Sequence, residues 1–205
     1  LECKNNITSL SVTNKFIISV VDFEIKCSED FDTILITKDG INLIHKLFSN
    51  KLVKLFVGNE FIIVKSKEAE VFILLSKIKA FNTTGMYSKL SSEKGDNFYT
   101  TKSNLLNSLE SVSIVDDICF VEAKKDNIIL STENKELKQK ANSKIECDIS
   151  NFNVSFNFNI NYLFKILDII KGEDIFINLS NNTIKVSDID NPNIKNLFAT
   201  INNVQ

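Results

Sequence analysis

The chain has 205 residues, 43% of them apolar, with a formal net charge of -2. That is enough apolar material for one or two cores of ordinary size, which excludes disorder, and no apolar run approaches the roughly 20 residues of a membrane-spanning helix. The near-neutral balance argues against a generally basic nucleic-acid binder, although a shape with an acidic outside and a basic inside averages to the same value.

In chain order, Thr33 to Ile36 reads as a strand, followed by a helix from Lys38 to Ser49 with Ile41, Ile44 and Phe48 on one face. Strands are expected at Leu52 to Val57, Phe61 to Lys65 and Val71 to Leu75, with a hairpin turn at Gly58-Asn59. The polar stretch Ser88 to Asn97 has linker composition and divides the chain into domains 1-92 and 93-205. Beyond it, Thr101 to Val115 carries the helical stripe Leu105, Leu109 and Val112, and Ile118 to Ala123 and Asn153 to Asn157 read as strands. A second helix, Asn161 to Ile170, turns Leu163, Ile166, Leu167 and Ile170 to the core and stops at Lys171-Gly172. Strands then run over Asp174 to Leu179, Thr183 to Ser187 and Asn196 to Ile201, with a turn at Asn181-Asn182.

The chain repeats itself with an offset of about 120 positions. Leu10-Ser11 lies over Leu130-Ser131, Asn14-Lys15 over Asn134-Lys135, Ile25 and Cys27 over Ile145 and Cys147, and Leu43 over Leu163. Both copies have helix, then three strands, in the same order. The first copy lacks a counterpart of the Thr101 to Val115 helix, so the first domain is expected to be incomplete and to begin inside a strand.

The chemistry-bearing residues are sparse. The four cysteines, Cys3, Cys27, Cys119 and Cys147, lie far apart without a CxxC pair, and the chain has one histidine, so metal-ligand spacing is lacking and the cysteines read as small buried thiols. His45 has no partner acid or nucleophile in sequence and reads as structural. Asp116-Asp117 reads as a loop between helix and strand. No phosphate loop or nucleophile motif occurs, so no enzyme, cofactor or metal is expected. The opening Leu1-Glu2-Cys3-Lys4 lacks an export-signal pattern, which makes a cytoplasmic protein the expectation.

Several segments resemble the DNA polymerase III beta subunit, or beta sliding clamp, family. The strongest is Val154 to Leu179, VSFNFNINYLFKILDIIKGEDIFINL, which is similar to the family's FN…YLLDAL pattern. Lys102 to Asp116 looks like the helix opening the family's third domain, and Ser131 to Ile145 resembles its NNPE-containing connection. The resemblance implies an α+β DNA-clamp fold of repeated domains, each with two helices packed on antiparallel sheet. Residues 1-92 would be the later part of domain two and 93-205 a complete domain three.

It further implies a non-catalytic sliding clamp, a processivity factor that tethers the replicative polymerase to double-stranded DNA without reading its sequence. A full three-domain subunit would close the ring as a homodimer. The DNA-facing residues would be Lys38, Lys46, Lys102 and Lys165, interleaved with Asn42, Asn104, Asn161 and Ser108. A pocket for hydrophobic peptides of the polymerase and clamp loader would draw on Thr13, Asn14, Phe16, Ile17, Ile18, Lys89, Leu90, Thr183, Leu197, Ala199, Thr200 and Ile201. The sequence departs from the family here, with Lys15-Phe16-Ile17 in place of Gly-His-Arg and Ala199-Thr200-Ile201-Asn202 in place of the terminal (L/M)-P-(V/M)-R. The alternatives are a clamp-like assembly protein without a working pocket, and an unrelated α+β repeat protein that binds partners through an edge strand.

Overall fold

The computed structural model describes residues 1-14, 16-23, 27-78, 80-92, 95-124, 126-147, 154-180 and 182-201. The strands are β1 (Glu2–Lys4), β2 (Ile7–Thr13), β3 (Ile17–Phe23), β4 (Lys54–Val57), β5 (Phe61–Lys65), β6 (Glu70–Leu74), β7 (Asp96–Thr101), β8 (Ile118–Lys124), β9 (Asn127–Asn134), β10 (Gln139–Glu146), β11 (Val154–Asn159), β12 (Asp174–Leu179), β13 (Thr183–Asp188) and β14 (Ile194–Ala199). The helices are α1 (Lys38–Phe48), α2 (Thr83–Ser91), α3 (Lys102–Ser113) and α4 (Ile160–Ile169). This is an α+β protein whose described strand pairs are all antiparallel.

Residues 1-10 and 23-82 form one compact unit, and residues 11-22 and 83-205 form another. The expected boundary at 92/93 does not coincide with this division. The reason is β3, which pairs with β14 near the other end of the chain, Ile18 opposite Leu197 and Val20 opposite Lys195.

In the first unit, β1 pairs with the start of β2 through a two-residue turn, with Asn5 and Asn6 at φ 52° and 64°. Asparagine tolerates that left-handed conformation better than most residues. Helix α1 starts where Thr37 accepts a hydrogen bond from the Gly40 amide at 3.2 Å. It packs on the sheet β4-β5-β6, burying Phe48 with Ile62, Val64 and Ile73. Thr33 to Ile36 is not a strand. It carries a reciprocal pair of bonds between Leu1 and Ile34, at 2.8 and 3.0 Å, and one bond from the Ser76 amide to the Leu35 carbonyl at 3.1 Å, isolated contacts that do not extend into a ladder. Cys3 and Cys27 are joined as a disulfide, against the expectation of four thiols, because the fold brings together positions 24 residues apart in sequence. Cys119 is buried and Cys147 half-buried, and neither is in a disulfide.

The second unit closes two sheets and two helices on one core. One sheet has the order β10-β9-β8-β11, and the other runs from the end of β2 through β3, β14, β13 and β12 to β7. Helix α3 is capped by Thr101 and α4 by Asn159, whose side chains accept from the Asn104 and Asn161 amides. Their apolar stripes meet in the core: Leu105, Leu109 and Val112 from α3, and Leu163, Ile166 and Leu167 from α4. Ser108 was expected on an outward face and is instead buried, because it falls on the same stripe as Leu105 and Leu109. The order α4-β12-β13-β14 repeats α1-β4-β5-β6. Asn181 of the expected turn lies outside the described residues.

The polar stretch read as a linker is largely structured. Helix α2 and strand β7 occupy its two ends, with residues 93 and 94 outside the described set. Past α4, Gly172 is required by close approach, since a Cβ there would overlap the Asp188 carboxylate. Asp188 is 1% exposed and accepts from the Gly172 amide at 3.1 Å, the Asn191 side chain at 2.9 Å and the Asp190 amide at 3.0 Å. Burial pushes this carboxyl upward, but the hydrogen bonds together outweigh it and hold the group below its ordinary value of 3.8. A depressed carboxyl contributes stability that is fully present above its unfolded value and is lost as the pH falls through the folded one. Asp188→Asn is therefore expected to cost about 1–3 kcal/mol at pH 7, with the gap to wild type closing below pH 3.8. Urea unfolding across that range checks both statements.

Candidate functional site

The residues expected to form a peptide pocket all lie in the second unit. At the end of β2 the chain reverses through a turn that is tied by its own side chains. Asn14 Oδ1 accepts from the Phe16 and Ile17 amides, both at 2.8 Å, while the Thr13 hydroxyl donates to the Asn14 and Ile17 carbonyls. This Asx-type turn sends the Phe16 ring outward, 49% exposed, to stack on Tyr162 of α4 with centroids 5.3 Å apart and planes 18° apart. The Phe16 carbonyl accepts from the Ala199 amide at 3.0 Å, and the Ile201 amide donates to the Asn157 carbonyl at 2.6 Å.

Strand alternation divides the remaining residues between two faces of the sheet. Ile18 and Leu197, opposite each other in register, pack with Val20 and with Tyr87 of α2, and Leu90 lies against them. Ile17 turns the other way, toward the main core. Thr183, opposite Ala199, is buried and hydrogen-bonds Ser180 at 2.9 Å. The structure thus gathers Ile18, Leu90 and Leu197 under α2, and Phe16 with Tyr162 beside α4. Lys89, Thr13 and Asn14 are exposed, and Leu90, Ala199 and Thr200 are half-buried. Ile18, Leu197 and Thr183 serve mainly as core, leaving Phe16, Leu90 and Ile201 as the more accessible apolar surfaces.

Two tyrosines escape the sequence reading. Tyr162 stands in the segment of strongest resemblance but reads there only as a helix residue. Tyr87 lies just before the polar stretch Ser88 to Asn97, in a segment without apolar periodicity. Its hydroxyl is buried without a hydrogen-bond partner among the described residues, and burial, helped by the nearby Asp22 charge, pushes it up to about 12. Asp22 itself is paired with Lys195.

The candidate DNA-facing lysines differ in setting. Lys38 and Lys46 lie on α1 with Asn42 between them at helical spacing, and all three are exposed. Lys165 is exposed on α4, with Asp168 three positions on. Lys102 is different, because its ammonium donates to the Ile170 carbonyl at 2.7 Å and closes the C-terminus of α4. His45 is exposed in the last turn of α1. Asp116 accepts from the Ile118 amide in the loop after α3. Among the described residues no group of His, Cys, Asp and Glu could hold a metal ion, and no helix is long and apolar enough to cross a membrane.

No protein-family model and no curated protein matches this sequence. Solved structures do match the fold. The DNA polymerase III beta subunit of Pseudomonas aeruginosa superposes with a TM-score of 0.88 at 15% identity, covering 98% of this chain and 56% of that one. The beta subunit of Thermotoga maritima gives 0.86 at 12%, covering 98% and 56%. The Borrelia burgdorferi subunit, solved in complex with a natural product, gives 0.84 at 18%, covering 98% and 53%. The chain therefore spans about half the length of these proteins, and over that span its fold is that of the DNA polymerase III beta subunit sliding clamps.

Proposed function

We propose that this chain is part of a DNA sliding clamp, a non-catalytic processivity factor that encircles duplex DNA and tethers a polymerase. The observation that carries the reading is the match over 98% of the chain to clamp subunits at a TM-score of 0.88. The division into residues 1-92 and 93-205, as a partial and a complete clamp domain, belongs to the same proposal. So do a cytoplasmic location and ring closure by further domains. The exposed Lys38, Lys46 and Lys165 would meet the phosphate backbone, with Lys102 contributing less because its ammonium is engaged.

Topology supplies the test. The protein is expected to stay on closed circular DNA through gel filtration and to slide off once the same DNA is cut. Changing Lys38, Lys46 and Lys165 together to Glu should shorten the residence on circles, most clearly at low salt. Equal retention on circular and linear DNA would sink the clamp reading.

A second reading, a clamp-like assembly protein without a working peptide pocket, is favoured by one observation. Ile18, Leu197 and Thr183 are spent on the protein's own core. Peptide binding decides between the two.

A further inference from the structure

The outward face of the sheet β4-β5-β6 is apolar where a solvated face would carry polar groups. Alternation sends Ile62, Val64 and Ile73 into the core of the first unit. It leaves Phe56, Ile63 and Phe72 in one cross-strand row on the other side, with Phe61 and Leu74 as the next row. Phe72 is 65% exposed and Leu74 77%, and the Phe61 and Phe72 rings touch diagonally with centroids 6.3 Å apart. A third row, Lys54, Lys65 and Glu70, bounds the patch on its other side, with Lys65 paired to Glu70 at 3.2 Å. A sheet with one wet face normally alternates apolar and polar residues. These strands are apolar on both faces at their centre.

We propose that this face docks a second copy of this chain, the two sheets packing face to face about a two-fold axis parallel to β5. Three partly exposed phenylalanines with Ile63 and Leu74 offer on the order of 400 Å² of apolar surface, about half of the roughly 800 Å² that one partner gives to an ordinary stable interface. The charged row and the sheet margins are there to supply the rest.

The order of charges identifies the occupant. From β4 to β6 the row reads plus, plus, minus. A two-fold along β5 exchanges β4 with β6, so Lys54 of each copy meets Glu70 of the other. The same operation sets Phe56 against Phe72 and lays Ile63 on its own counterpart at the axis. Glu70 is then shared between its own Lys65 and the Lys54 of the other copy. The two Lys65 ammoniums, which meet across the axis at the edge of the patch, keep their water, the side chain being half exposed in one copy. The other in-plane two-fold, at right angles to the strands, would lay the charged row over Phe61 and Leu74 and desolvate it with no charge opposite. Sheets packed face to face keep their strand directions within about 30° of each other, which the first arrangement satisfies. This contact is self-complementary and differs from a head-to-tail ring joint, so it stands or falls apart from the clamp reading.

The test places a thiol on the axis. Ile63→Cys, treated with a short thiol-to-thiol cross-linker, is expected to give a covalent dimer. The unaltered chain, and Ser131→Cys on an outward position of the second unit's sheet, should not. Phe72→Glu in the Ile63→Cys background should lower the dimer yield at least tenfold while leaving the thermal melt of the dilute monomer in place, since Phe72 is largely exposed within one copy. Lys54→Glu should lower the yield, and adding Glu70→Lys should restore it. No dimer above the Ser131→Cys control, or a yield indifferent to Phe72→Glu, would overturn the proposal and mean that solvent or another polypeptide covers the face. A charge-swapped pair that fails to recover would overturn the two-fold arrangement.

Discussion

Phe158→Ala is expected to remove about 3–5 kcal/mol of stability, the usual cost of emptying a buried aromatic site. Phe158 is 1% exposed and meets Phe198, itself fully buried, with ring planes tilted by 53° and centroids 5.8 Å apart. These two rings tie β11 in one sheet of the second unit to β14 in the other, so the cavity would open where the sheets meet α4. A domain of this size is stable by only about 5–15 kcal/mol, so the loss is a large share of the total. Urea unfolding followed by circular dichroism measures it. Phe72→Ala, at an exposed position, should change stability by no more than about 0.5 kcal/mol. If Phe158→Ala cost less than about 1 kcal/mol, the core assigned to the second unit would be wrong.

Phe16→Ala is expected to weaken binding of a short hydrophobic peptide from the cognate replicative polymerase by about 2 kcal/mol, roughly thirty-fold in Kd. Aromatic anchors dominate such sites, and Phe16 is held outward by the Asn14 turn and backed by Tyr162. Fluorescence anisotropy with labelled peptide gives the affinity, and a thermal melt confirms that the exposed substitution leaves the fold intact. Leu90→Asp, under α2, serves as the companion variant. If it abolishes binding while Phe16→Ala does nothing, the peptide lies on the α2 side alone. If wild type does not bind at all, the assembly reading replaces the clamp reading in its peptide-binding part.

Helices α1, α3 and α4 were readable because their apolar residues recur at helical spacing and each begins at a side-chain cap. The strands after α1 and α4 were readable from β-branched runs ended by turn residues. Helix α2 was missed because Thr83, Gly85 and Ser88 give it linker composition, and only Thr83 and Tyr87, four positions apart, are buried. Strand β7 was missed for a related reason. DNFYTT has one buried apolar residue, Phe98, and takes its stability from the ladder with β12.

For the candidate site the division is sharper. The peptide-pocket residues were chosen by motif, and motif order carries no information about which face of a strand a residue occupies. Pairing of β3 with β14 decided that, setting Ile18 and Leu197 into one cluster and Ile17 into another. Lys102 reads in sequence like any other helix lysine. Only the approach of α3 to the end of α4 commits its ammonium to the Ile170 carbonyl.

Periodicity and turn chemistry act over a few neighbouring residues, so the repeated unit of a helix followed by three strands and the α+β class were legible in the chain. The tertiary structure alone decided which distant strands pair, that Cys3 meets Cys27, and which lysines remain free to meet a partner. Those outcomes depend on contacts between residues far apart in the chain, and local pattern does not encode them.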